Sequence, residues 1–126
     1  MQSRAAIARW LPWALAVLTG VLGFLGYVGF DQFYLEWVFM VPVLWALRDA
    51  TPKRAFFLGW LAGTVGHAGG FYWAVHMFHV FAFMPWPVAV IGCLGLAAVN
   101  AVSFALFAWC VRRIQVDVGW SVGWWF

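Results

Sequence analysis

Between Arg9 and Asp31 the chain has no charged side chain, and three further apolar blocks follow, Phe33 to Leu47, Ala55 to Val80 and Trp86 to Val111. This block pattern constrains the fold more than any single residue does. Of the 126 residues 67% are hydrophobic and 9% charged, more apolar surface than a soluble core of this size can enclose. A helix crossing the hydrocarbon of a bilayer needs about 20 apolar residues, so the length accommodates roughly four crossings. The sequence therefore predicts an all-α, polytopic membrane bundle of about four transmembrane helices. Its spans fall at 10–30, 33–47, 55–80 and 86–111, residues 1–113 form the bundle, and 114–126 form a short aromatic-rich tail.

The formal charge of +3 does not point to a nucleic-acid partner, because the seven basic residues lie only in the breaks between blocks. Lys and Arg beside membrane spans are retained on the cytoplasmic side. With the N-terminus inside, four crossings place Arg4, Arg9, Arg48, Lys53, Arg54, Arg112 and Arg113 together, with both termini cytoplasmic. Asp31, Glu36 and the turn around Met84-Pro85-Trp86-Pro87 fall on the outer side. The first block lacks a small-x-small site at its end and is followed by more spans, so it reads as an uncleaved helix and not as a signal peptide. Pro42 is expected to kink the second span. Trp10, Trp13, Trp86 and Trp109 lie near span ends, where an indole keeps its N–H in the headgroup layer. Cys93 and Cys110 are about 25 Å apart along one helix, which excludes a disulfide between them.

Gly59, Gly63, Gly66 and Gly70 follow one another at offsets of four, seven and eleven, a narrow stripe that lets another backbone approach. Helix packing is the reading favoured for this stripe over a ligand groove. Gly20, Gly23, Gly26 and Gly29, spaced by three, drift around their helix and give a weaker signal of the same kind. His67 and His76 face opposite sides of a helix. His76 and His79 share a face but have no nearby Cys, Asp or Glu to complete a metal site. They read as interfacial side chains which, with Trp73 and Trp86, contact lipid near the outer surface. Asp31 and Glu36 read as solvated interface acids, and Asn100 and Ser103 as donors to neighbouring helices. No phosphate loop, nucleophile elbow or zinc spacing occurs, so no catalytic residue, metal or cofactor is expected.

The run from Gly59 to Trp73 (Gly-Trp-Leu-Ala-Gly-Thr-Val-Gly-His-Ala-Gly-Gly-Phe-Tyr-Trp), followed by Met84-Pro85-Trp86-Pro87, resembles the amino-terminal membrane region of bacterial apolipoprotein N-acyltransferases. Pro42 to Leu47 before a basic loop is similar to the family too, and the resemblance covers residues 15–113. It implies a multi-pass protein of the bacterial inner membrane with phospholipid and lipoprotein substrates. Such proteins move an acyl chain from a phospholipid to the amino terminus of a diacylated cysteine, through a thioester on a catalytic cysteine. That cysteine, a glutamate and a lysine belong to a periplasmic nitrilase-like domain, which these residues do not match; Cys93 and Cys110 do not correspond to the nucleophile. Asp117 to Phe126 departs from the family pattern, as expected of a fragment or frameshifted gene that is inactive alone. Two other readings stand beside this one. A small four-helix transporter matches in length, although its coupling glutamate belongs in the first helix, where this chain has no acid. A non-catalytic bundle could instead bind lipid or a partner helix through the glycine stripe.

Overall fold

The computed structural model describes residues 2–27 and 32–118, with residues 2–8 and 118 described as backbone alone. Asp31 and Gly29 lie outside the described residues, as do 119–126. The elements are α1 (Gln2–Gly26), a short 3-10 helix (Phe33–Trp37), α2 (Val41–Leu47), α3 (Pro52–Gly70), α4 (Tyr72–Phe81), α5 (Trp86–Asn100) and α6 (Val102–Val118). Among the described residues there is no β-strand, so the fold is all-α.

The elements make four passes, up, down, up and down. Contacts between α1 and α3 climb both helices together: Arg9 with Arg54, Gly20 with Ala62 and Val65, Phe24 with Gly69. These two helices are therefore parallel. The 3-10 helix and α2 return along α1, setting Glu36 against Gly26 and Phe39 against Gly23. The α5–α6 rod runs antiparallel to α3–α4, with Phe78 beside Gly92, Cys93 bonded to Phe71, and Ala108 against Gly59.

Each departure from the expected spans has a local cause. The segment 33–47 is not one kinked helix, because Pro42 has no N–H to bond the carbonyl four residues back. A turn at 38–40 absorbs the break, and Pro42 stands in the first turn of α2, where the missing donor is harmless. The third pass breaks at Phe71 (φ −98°, ψ 19°), directly after Gly69 and Gly70. The fourth pass is interrupted only at Ala101, whose N–H still reaches Ala97 O at 2.9 Å. Asn100 and Ser103 do not bond neighbouring helices as expected. Asn100 donates to Leu96 O within α5, and Ser103 at the start of α6 donates to Asn100 O at the end of α5, both at 2.8 Å, the usual local alternative for short polar side chains. Residues beyond 113 are not a separate tail from the start: α6 continues to Val118, supported by an Arg113–Asp117 ion pair at 3.1 Å. At the other end of the chain α1 begins at Gln2, ahead of the expected residue 10, and includes Pro12. Arg54 Nη2 donates to Arg9 O at 3.2 Å, beside the site where Pro12 cannot donate.

The interior is built mostly of alanine. Ala16, Ala46, Ala50, Ala55, Ala62 and Ala108 cluster with Val43, Leu47 and Leu58, and few large side chains are fully buried. The large apolar side chains point outward instead, among them Trp37 (86% exposed), Val99 (71%) and Ile91 (68%). Two helical stretches, Arg9–Gly26 and Trp86–Asp117, are long and apolar enough to cross a membrane, and only 17% and 22% of their most apolar windows are buried. Small residues inside and large apolar ones outside are the arrangement of helices packed in lipid.

Candidate functional site

Four segments enclose a half-open cavity of about 210 Å³ near the end of the bundle that holds Glu36. Gly20, Gly23 and Tyr27 of α1 form one wall, and Gly63, Gly66, His67 and Gly70 of α3 form another. Glu36 and Phe39 close it from the returning segment, and Phe71 and Phe104 complete an aromatic lining. Glycines create the space, since larger residues at these positions would fill it or push the helices apart.

The glycine stripe of α3 serves two neighbours. A Cβ at Gly59 would lie 2.6 Å from Phe104 O and Ala108 Cβ, and one at Gly63 would lie 3.0 Å from Ala101 Cβ, so this half faces α6. Gly66 and Gly70 face α1, with Gly20 O 3.5 Å from the Cβ position of Gly66 and the Tyr27 ring 3.7 Å from that of Gly70. The helices cross, so one narrow stripe meets α6 first and α1 later. Gly20 is as tight as any of these, its Cβ position being 2.6 Å from Ala62 O.

The polar groups of the cavity come from separate segments. His67 Nδ1 is 2.7 Å from Gly63 O; a carbonyl only accepts, so Nδ1 carries the proton. In the neutral ring Nε2 is then an acceptor. The ring packs edge-on to Phe104 at 5.5 Å and tilted to Phe71 at 5.4 Å. Glu36 is exposed on one side, yet its Oε1 and Cγ lie 2.8 Å from the Cβ position of Gly26, so its side chain lies flat across α1. From the sequence Glu36 reads as an interface acid and His67 only as a side chain facing away from His76, with nothing to connect the two. The structure brings both to one cavity. Thr19 also lines it, but its hydroxyl donates to Leu15 O at 3.0 Å.

The outer aromatic and histidine residues form a second, separate group. His79 stacks on Trp86 at 4.7 Å and its Nδ1 donates to Met84 O at 2.7 Å, which fixes the α4–α5 turn. Phe83 in that turn has φ 53° and is 89% exposed. His76 and Trp73 are exposed on α4. Among the described residues no three His, Cys, Asp or Glu side chains converge as metal ligands. Cys93 is buried and its thiol donates to Phe71 O at 3.3 Å, so it supports the break between α3 and α4; Cys110 is exposed on α6.

The basic residues gather at the opposite end. Arg54 reaches Arg9 O, and Arg112 Nε donates to Ala50 O, which ties the fourth pass to the turn between Arg48 and the first turn of α3, where Lys53 lies. Arg48 lies 4.2 Å over the Trp45 ring.

Residues 19–126 match the family model of the apolipoprotein N-acyltransferase N-terminal domain, so the family pattern extends past residue 113 and includes Asp117 to Phe126, contrary to the expectation from sequence. An apolipoprotein N-acyltransferase of Geobacter metallireducens is 33% identical over 99 residues, which cover 79% of this chain and 19% of that protein. The chain thus spans about a fifth of the length of that relative. No solved structure matches at comparable significance. By a family model that covers most of its length, the chain belongs to the apolipoprotein N-acyltransferase family and carries that family's N-terminal domain.

Proposed function

We propose that these residues are the multi-pass scaffold, embedded in the bacterial inner membrane with the basic end cytoplasmic, of a protein that N-acylates lipoproteins from phospholipid. The observation that supports this most is the segregation of charge. Arg9, Arg48, Lys53, Arg54, Arg112 and Arg113 gather at one end of an up-down-up-down bundle, and Glu36 lies at the other with no described cation beside it. That asymmetry is the one the positive-inside rule selects. The outward-facing Trp, Phe and Ile side chains supply the surface that lipid solvates. On this reading the exposed Trp73, His76, Phe83 and Trp86 meet the outer headgroup layer.

The chemistry of acyl transfer lies outside these residues. A thioester mechanism needs an activated thiolate beside a base. Cys93 spends its thiol hydrogen on Phe71 O inside the bundle, and Cys110 faces outward on α6. The purified 126-residue chain should therefore transfer no acyl group to a diacylated lipopeptide. Grafted in place of the matching 99 residues of the Geobacter metallireducens relative, the same segment should sustain N-acylation by the hybrid. Mass spectrometry of the lipopeptide product reads both. Transfer by the chain alone, or a hybrid that inserts in the membrane and is inactive, would overturn the scaffold reading.

A further inference from the structure

We infer that the cavity between α1, α3 and the Phe33–Trp37 segment binds the primary ammonium head of a single-chain cationic amphiphile, with Glu36 as its counter-ion. This goes beyond a scaffold role and does not depend on acyl transfer.

Glu36 lines the cavity, and among the described residues the one ion pair is Arg113–Asp117 in α6. The arginines whose contacts are described lie at the opposite end of the bundle, so Glu36, which lines the cavity and is exposed on its other side, has no internal counter-ion among the described residues. A carboxylate that lines a largely apolar cavity attracts a cation there more strongly than one surrounded by water does. His67 adds an acceptor, because its Nδ1 proton is committed to Gly63 O and Nε2 is left without a partner among the described residues. An acid and a neutral acceptor suit a group rich in donors and poor in acceptors. A primary ammonium, with three N–H donors and no acceptor, is such a group.

The walls specify the remainder of the ligand. Tyr27, Phe39, Phe71 and Phe104 line the cavity, and aromatic faces attract cations as well as alkyl chains. The volume of about 210 Å³ is below the ~300–1,000 Å³ of pockets for drug-sized ligands, so it holds a head group and the first few carbons. The half-open side lets the remaining tail lie along the exposed apolar surface of the bundle.

The test uses the 126-residue chain in dodecyl maltoside micelles, which carry no ammonium of their own. A dodecylamine with a diazirine near its head is photolysed, and adducts are mapped by mass spectrometry. Adducts are expected on peptides carrying Tyr27, Phe39 and Phe71, competed by dodecylammonium and not by dodecanol. Glu36→Gln should weaken competition by about tenfold or more, the scale of one lost charge-assisted hydrogen bond, and Glu36→Asp should retain most of it. Circular dichroism of each variant separates lost binding from lost helix. The comparison of amine with alcohol on the unmodified chain needs no variant at all. Equal competition by dodecanol, adducts spread over the outer helix faces, or a folded Glu36→Gln protein that binds as before would overturn the proposal.

Discussion

Gly59→Leu is expected to destabilise the bundle by about 3 kcal/mol, the upper range for overpacking, whereas Gly95→Leu changes stability by less than about 1 kcal/mol. The two substitutions are chemically identical and both lie inside helices, so propensity cannot separate them. The neighbours can. The Cβ position of Gly59 is 2.6 Å from Phe104 O, a backbone atom that no rotamer change removes, and nothing lies within 4 Å of the Cβ position of Gly95. A side chain at 59 must therefore push α6 off α3, removing the close backbone contact that drives helix association where lipid competes equally for apolar surface. At 95 it merely replaces lipid. Unfolding of both variants in mixed detergent micelles, followed by helical dichroism, measures the contrast. Equal losses would show that α3 and α6 are not packed backbone to backbone.

The second large effect concerns two adjacent arginines. Arg112→Leu should cost about 2 kcal/mol, because Ala50 O sits on a residue only 3% exposed and loses its charged donor. Arg113→Leu should cost under about 1 kcal/mol, since its ion pair with Asp117 joins side chains that are 58% and 56% exposed. Arg112→Lys should recover only part of the loss, because an ammonium cannot present the guanidinium Nε–H at the same place. The same unfolding assay reads all three. Equal effects of the Arg112 and Arg113 substitutions would mean that charge at the helix end matters and the bond to Ala50 does not.

These two contrasts also show what was legible in the sequence. The apolar blocks and the basic breaks between them determine an all-α bundle, because burial and span length act on whole segments and tolerate local error. The stripe of Gly59, Gly63, Gly66 and Gly70 was visible from its spacing. What spacing could not show is that crossing helices divide it between α6 and α1. Gly20 was underrated for a related reason: a spacing of three drifts around a helix, but one well-placed glycine suffices where two backbones meet. Helix breaks were less legible. Phe71 carries no breaker signal of its own, and Asn100 and Ser103 turn to carbonyls four and three residues back, although helices packed in lipid often share such groups. The cavity was least legible, since Glu36 and His67 are remote in sequence and line one cavity only because the returning segment folds over the end of α1.

The central claim is a bundle of four passes with its basic end inside. Single cysteines placed at Lys53 and at Phe83, with Cys93 and Cys110 replaced by alanine, test it most directly through labelling by a membrane-impermeant maleimide. The account predicts that Phe83→Cys reacts in intact spheroplasts and Lys53→Cys reacts only in inverted membranes. Reaction of both positions from the same side would contradict it.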